Sequence, residues 1–184
     1  PSYALLEQIV IEDEQWTGRK LLRERPRASK EEMDRMVDKL HQLRRSKDKA
    51  LLAGVLGGKL AEGVDYPENI LDAVICIGLP LPPPSARQDA LKDYYEDRFG
   101  SVRAWRYAGS QPAVNRLMQA VGRPIRKAAD RALVVLLEKR LLQRGFKICM
   151  PEGMHAVETV DSERTERHAE RFFERHPKPA KFTE

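Results

Sequence analysis

An α/β fold, a parallel sheet covered by helices on both faces, follows from three features of the sequence. Continuous apolar runs at 50–56, 72–78 and 132–137 read as buried strands, since a strand covered on both sides loses the polar alternation of a half-solvated one. Segments with apolar residues at helical spacing separate these runs. Met33, Met36, Val37, Leu40 and Leu43 form one such face, and Val114, Leu117, Met118 and Val121 another. The length of 184 residues suits one such domain with a full core, and the alternation of strand and helix makes the sheet parallel.

The elements can be justified in order. Leu5, Leu6, Ile9 and Val10 give a helix over 1–11, with Pro1 in the tolerated first turn. Residues 19–23 are a short strand closed by Arg25-Pro26. Ser29-Lys30-Glu31-Glu32 is a capping box, and Met33 and Met36 of the helix it opens are core rather than ligands. Gly57-Gly58-Lys59 follows the 50–56 strand at its carboxyl end. It is not a phosphate-binding P-loop, because Ala53 stands where the first glycine is required and Leu60 where a Ser or Thr would hold Mg²⁺. What remains is a glycine-permitted loop at the place where open α/β sheets bind ligands.

Leu79 to Pro84 is a stiff polyproline-like connector. Ser85-Ala86-Arg87-Gln88 is a second capping box, opening a helix that turns Leu91, Tyr94, Tyr95 and Phe99 inward and stops at Gly100. Arg103, Trp105, Arg106 and Tyr107 interleave cations with rings. That mixture suits stacking on single-stranded bases, and equally a short helix that buries its rings. Pro112 opens the next helix at its first position. Residues 138–143 form a short helix ended by Gly145, 146–150 a last strand. Asp161 starts a tail helix with Phe172 and Phe173 on one face, ending at His176-Pro177, and 177–184 are expected to be disordered. The chain thus divides into a domain over 1–160 and a helix with a flexible tail over 161–184.

A formal charge of +5, with a third of the residues charged, fits a nucleic-acid partner without demanding one. No apolar run is long enough for a membrane span and no signal peptide opens the chain, so an intracellular protein with no membrane partner is expected. Cys76 and Cys149 sit in apolar segments as free thiols, and two cysteines exclude both a disulfide framework and a four-thiolate site. His41, His155, His168 and His176 show no ligand spacing, so no metal is assigned.

The chemistry concentrates in Gln119-Ala120-Val121-Gly122-Arg123-Pro124-Ile125-Arg126. Gln119 lies on the polar side of the helix, and Pro124 forces a turn just after Gly122. Two guanidinium forks at one bend are a candidate clamp for a polyphosphate, although spacing alone favours ordinary surface arginines. Read with Gly57-Gly58-Lys59-Leu60-Ala61-Glu62-Gly63-Val64-Asp65 and with Pro1-Ser2-Tyr3, the stretch resembles the C-terminal half of superfamily 2 DNA helicases of the XPD type. There the order is an FPSY-like motif IV, a GG-x-x-x-EG-[VI]-D motif V and a QA-x-GR-x-IR motif VI. The similarity runs to about Met150.

The resemblance implies the second RecA-like motor domain, with ATP and Mg²⁺ shared with a first motor domain that supplies the P-loop. Arg123 and Arg126 then look like two arginine fingers, and Gln119 like the polar residue that senses the nucleotide or its attacking water. Gly63, Asp65 and Gly122 look like nucleotide-facing positions. Ser2, Tyr3, Lys59 and Glu62 look like contacts to single-stranded DNA. The resemblance further implies 5′-to-3′ unwinding, nucleotide excision repair in many members, a regulatory protein subunit in some, and a [4Fe-4S] cluster held only outside this chain. It also implies a β-strand ahead of the first helix, without which the sheet would keep an unfilled slot. Two positions depart from the family pattern: Asp130-Arg131-Ala132 for Asp-x-Gly, and Glu138-Lys139-Arg140 for Asp-x-Arg. Without a P-loop or an acidic box the chain alone should not hydrolyse ATP. The alternative from another class is a catalytically inert module that holds single-stranded nucleic acid or a regulatory protein.

Overall fold

The computed structural model describes residues 2–10 and 18–177. Ser2 caps helix α1 (Tyr3–Ile9), its hydroxyl accepting from the Leu5 N–H. Strand β1 (Lys20–Arg23) leads through the Ser29 turn into α2 (Lys30–Arg45). Both halves of the Ser29–Glu32 capping box form, and Met33, Val37, Leu40 and Leu43 are buried as their spacing requires. Strand β2 (Ala50–Ala53) pairs parallel with β1, Leu22 opposite Leu52. The short helix α3 (Lys59–Glu62) follows, and β3 (Ala73–Ile77) comes after a 3₁₀ turn.

Helix α4 (Ala86–Phe99) is capped by Ser85, which accepts from the Gln88 N–H. The second capping box is only half made, because the Gln88 side chain donates instead to the Ala108 carbonyl, 2.6 Å away. That bond ties α4 to α5 (Ser101–Trp105) and to the π-helical turn Arg106–Ser110 that follows. Helix α6 (Gln111–Val121) continues directly from this turn. Pro112 therefore lies inside a continuous helical path: the Gln111 N–H reaches back to the Arg106 carbonyl, and the wider π turn admits a ring that an α turn would reject. Strand β4 (Leu133–Leu137) pairs parallel with β3, and a 3₁₀ turn precedes α7 (Arg144–Lys147). The last element is α8 (Ser162–Arg175), capped by Asp161.

The α/β class with parallel strands and flanking helices is as expected. The hydrogen-bonded pairing, however, is split among the described residues into two ladders, β1–β2 and β3–β4, rather than one continuous sheet. Each ladder has its own core. Leu22 and Leu52 pack with Met33, Val37, Leu40, Leu60 and Tyr66; Cys76 packs with Val114, Leu117, Ala120, Phe146 and Cys149. Helix α3 joins the two, since Leu60 enters the first core and Ala61 packs against the second. Ile75 and Leu137, on the face of β3–β4 opposite Cys76, stay 58% and 52% exposed.

Four expectations are corrected. The run 146–150 is not a strand: Phe146 and Lys147 both donate to the Gln143 carbonyl and Ile148 to that of Arg144, so the segment coils to bury Phe146 and Cys149 under α6. Gly145 lies within this coil and not at a helix stop. Strand β2 ends at Ala53 rather than at 56, for a reason taken up below. Helix α4 buries none of its residues, and Leu91, Tyr94 and Phe99 remain exposed. Tyr95 and Phe99 instead pack tilted and edge-on against Tyr107, ring centroids 5.5 and 5.3 Å from it. Trp105 is 44% exposed, so the aromatic segment is a helix that does not bury its largest ring. The tail 178–184 lies outside the described residues.

Cys76 and Cys149 are buried free thiols, and burial pushes the Cys76 thiol up to about 11. No described helix is long and apolar enough to cross a membrane, and no described cluster of His, Cys, Asp or Glu could hold a metal.

Leu117 is 1% exposed at the centre of the second core. Leu117→Ala should lower unfolding free energy by about 2–5 kcal/mol in urea titrations. The bidentate Glu138–Arg140 contact (2.8 and 2.6 Å) holds the Glu138 carboxyl below its ordinary value of 4.5, the Arg140 hydrogen bond outweighing burial. A depressed folded pKa adds stability that is complete above the unfolded value and lost as pH falls through the folded one. Glu138→Gln should therefore flatten the fall in Tm on acidification below pH 4.5.

Candidate functional site

The loop after β2 leaves the ladder because a side chain from β1 claims its amides. Glu24, only 2% exposed, accepts from the Val55 N–H at 3.1 Å and the Lys59 N–H at 3.0 Å. The bond to Val55 ends strand β2. Gly57, at φ +84°, turns the chain between the two contacts. A Cβ on Gly58 would lie 2.8 Å from both a Glu24 oxygen and the Val55 carbonyl, and one on Gly54 2.9 Å from Glu24. The glycines thus make room for a carboxylate that arrives from inside the fold. The loop amides at Val55 and Lys59 are filled, which agrees with the rejection of a phosphate-binding P-loop.

The motif V residues follow at once. Lys59 opens α3 and its ammonium donates to the Ala28 carbonyl, so this expected DNA contact is anchored on the body of the domain. Gly63 ends the helix, its N–H donating to the Lys59 carbonyl at 2.7 Å. Glu62 and Asp65 are exposed beyond it. Between them Val64 is buried, and the Tyr66 hydroxyl donates to the Leu60 carbonyl at 3.0 Å. Burial raises the Tyr66 pKa against the opposing pull of the nearby Arg123 charge.

Motif VI meets this segment through one arginine. Helix α6 ends at Gly122, whose N–H donates to the Met118 carbonyl at 2.9 Å, and Arg123 then turns inward. Its Nε donates to the Ala61 carbonyl (2.7 Å), Nη1 to Val64 (3.0 Å) and Nη2 to Glu62 (2.9 Å). Pro124 is fully buried, and its carbonyl accepts from Asn69 Nδ2 at 2.8 Å. Asp130 accepts from the Arg126 and Lys127 N–H groups, each at 2.8 Å, so the turn that follows is held by a side chain without the glycine of the Asp-x-Gly pattern. Arg126 lies on the outside of this bend and pairs with Asp65, their side chains 40% and 67% exposed.

The expectation of two outward guanidinium groups is corrected for one of them: Arg123 clamps three carbonyls, and Arg126 alone of the pair faces solvent. Gly63, Asp65, Glu62, Gly122, Arg123 and Arg126 come together in one cluster. Gln119 is exposed one helical turn earlier, beside Asn115 and Met118 in an open groove bordered by Cys149 and Met150. Ser2 is occupied as a helix cap. Tyr3 is half-buried, and burial followed by the Glu24 charge raises its pKa. Glu24 escaped the sequence reading because its partners lie 31 and 35 residues away and follow no periodicity. The one visible signal was an acidic residue closing a strand ahead of a glycine-rich loop.

The model of the helicase C-terminal domain family matches residues 1–157. The chain belongs to this family. The helicase C-terminal domain here is 32% identical over 154 residues to the Fanconi anemia group J protein homolog of Gallus gallus, covering 76% of the chain and 12% of that protein. It is 32% identical over 119 residues to the ATP-dependent DNA helicase XPD of Sulfolobus acidocaldarius, covering 60% and 20%. It is 34% identical over 103 residues to the ATP-dependent DNA helicase CHL1 of Eremothecium gossypii, covering 50% and 12%. The chain therefore spans an eighth to a fifth of the length of these relatives.

The two arginines should separate by stability. Arg123→Ala strands three carbonyls and should cost about 2–4 kcal/mol in urea unfolding, whereas Arg126→Ala removes an exposed ion pair and should cost less than about 1 kcal/mol.

Proposed function

We propose that this chain is the second motor domain of an ATP-dependent DNA helicase of the XPD type, closing over ATP and Mg²⁺ that a first motor domain holds. The observation that carries the reading is the Arg123 clamp. It locks the motif V segment against the motif VI bend and leaves Arg126 outside, on a carboxylate that exchanges readily because an exposed ion pair is weak. The names of the XPD and CHL1 relatives support the reaction class.

In this reading Arg126 is the arginine finger. Its guanidinium leaves Asp65 for the terminal phosphate and neutralises the charge that develops as the phosphoryl group departs. Arg123 acts through the loop it positions. Gln119, Gly63, Asp65 and Gly122 line the nucleotide side, and Gln119 is placed to sense the nucleotide or its attacking water. Single-stranded DNA crosses the surface near Glu62, Ser2 and Tyr3 and is held mainly through its phosphates. The resemblance carries the finer parts: 5′-to-3′ direction, a role in nucleotide excision repair, a regulatory subunit and a [4Fe-4S] cluster outside this chain.

The test is single-turnover and steady-state ATPase of the full-length protein with single-stranded DNA. Arg126→Ala should lower kcat by about 10³-fold or more and leave nucleotide affinity nearly intact. A full-length protein that retains labelled oligonucleotide at low salt but never hydrolyses ATP is the inert binding module instead. The 184-residue chain by itself should show no ATPase. Its oligonucleotide affinity should fall with rising salt irrespective of base sequence.

A further inference from the structure

Glu24 lies outside every motif discussed above, yet its carboxylate holds both ends of the turn that leads into motif V. It closes β1, and its own N–H donates to the Ala53 carbonyl at 2.8 Å, so the backbone beneath the carboxylate is fixed by the ladder. One oxygen takes the Val55 amide and the other the Lys59 amide. From α1 the half-buried Tyr3 ring comes near enough for the Glu24 charge to add to burial in raising its pKa. A buried carboxylate is costly unless hydrogen-bonded, and here two backbone amides of one loop supply the bonds. The Lys59 amide is the first of α3, and α3 carries Ala61 and Glu62, two of the carbonyls that Arg123 grips. Any displacement of the loop at Glu24 is thus passed through one turn of helix to the Arg123 clamp and to Asp65.

We propose that Glu24 is a positioning residue of the ATPase site: it seats the Gly54–Gly63 loop from beneath, so that Asp65 and the Arg126 it holds stand where a terminal phosphate arrives. The inference rests on the motor reading above. Glu24 touches neither nucleotide nor DNA in this scheme. Its loss alters the geometry of phosphoryl transfer and not the grip on the nucleotide, most of which the first motor domain provides.

The experiment is steady-state ATPase of the full-length protein, comparing wild type, Arg126→Ala, Glu24→Gln and Glu24→Asp, with Tm recorded for each. Glutamine keeps the shape but turns an N–H₂ toward one of the two amide donors, so the loop must shift. For Glu24→Gln the expected result is a fall in kcat of about 10- to 100-fold, since a displacement of order 1 Å away from the chemistry suffices for this, with KM for ATP within about threefold. A merely structural role would lower Tm and the active fraction without separating kcat from KM. Glu24→Asp keeps both acceptor oxygens but withdraws them from the two amides by one methylene, and should move kcat in the same direction, KM again holding.

A folded Glu24→Gln protein with wild-type kcat overturns the inference while an inactive Arg126→Ala leaves the motor reading standing. Should Glu24→Gln fail to fold, Glu24→Asp decides: a lowered kcat at constant KM supports the inference, and unchanged kinetics overturn it. A wild-type protein without DNA-stimulated ATPase overturns the motor reading and this inference with it.

Discussion

The Arg123 fork is the contact on which the remaining arrangement depends. A guanidinium carries five donors in a rigid plane, and here three of them meet carbonyls of one short segment, Ala61, Glu62 and Val64. Hydrogen bonds from a charged donor are stronger than neutral ones, each about 1.5–3 kcal/mol net. Lysine at this position has one nitrogen and could not span three acceptors. The two cores meet at this segment, through Leu60 on one side and Ala61 on the other, so the clamp also fixes how the β1–β2 half sits against the β3–β4 half.

The segment is gripped from its other end by opposite chemistry. Glu24 takes amide donors where Arg123 takes carbonyl acceptors, and between them lies one turn of helix. Such a short helix has little stability of its own. Its place is set by a buried carboxylate, a buried tyrosine hydroxyl and a guanidinium, none of which belongs to it. This explains how a glycine-rich loop following a strand can look like a phosphate cradle in the sequence and not be one: the anion is already there, covalently part of the chain.

Much of the fold was legible because periodicity reports burial. The Met33 to Leu43 face, the Val114–Leu117 face and the Ser29 capping box all appear where spacing puts them. The site was legible as motifs but not as geometry. Gly122, Arg123 and Pro124 announce a bend, yet nothing local says which arginine turns inward, since the acceptors lie 59 to 62 residues away. Short apolar runs were the weakest signal. Residues 146–150 and 132–137 are both short, mainly apolar runs, and the tertiary partner decides that Leu133–Leu137 finds a ladder while Phe146 and Cys149 coil beneath α6. Gln88 departed for a related reason, a π turn at Arg106–Ser110 whose Ala108 carbonyl takes its side chain.

The central claim is that the two arginines of one motif have different duties. The most direct measurement is the structure of the full-length protein with ADP and a metal-fluoride mimic of the transferring phosphoryl group. The account predicts that the Arg126 guanidinium has left Asp65 for the fluoride while Arg123 still donates to Ala61, Glu62 and Val64. A structure in which Arg126 stays on Asp65 and Arg123 swings out to the fluoride would contradict it.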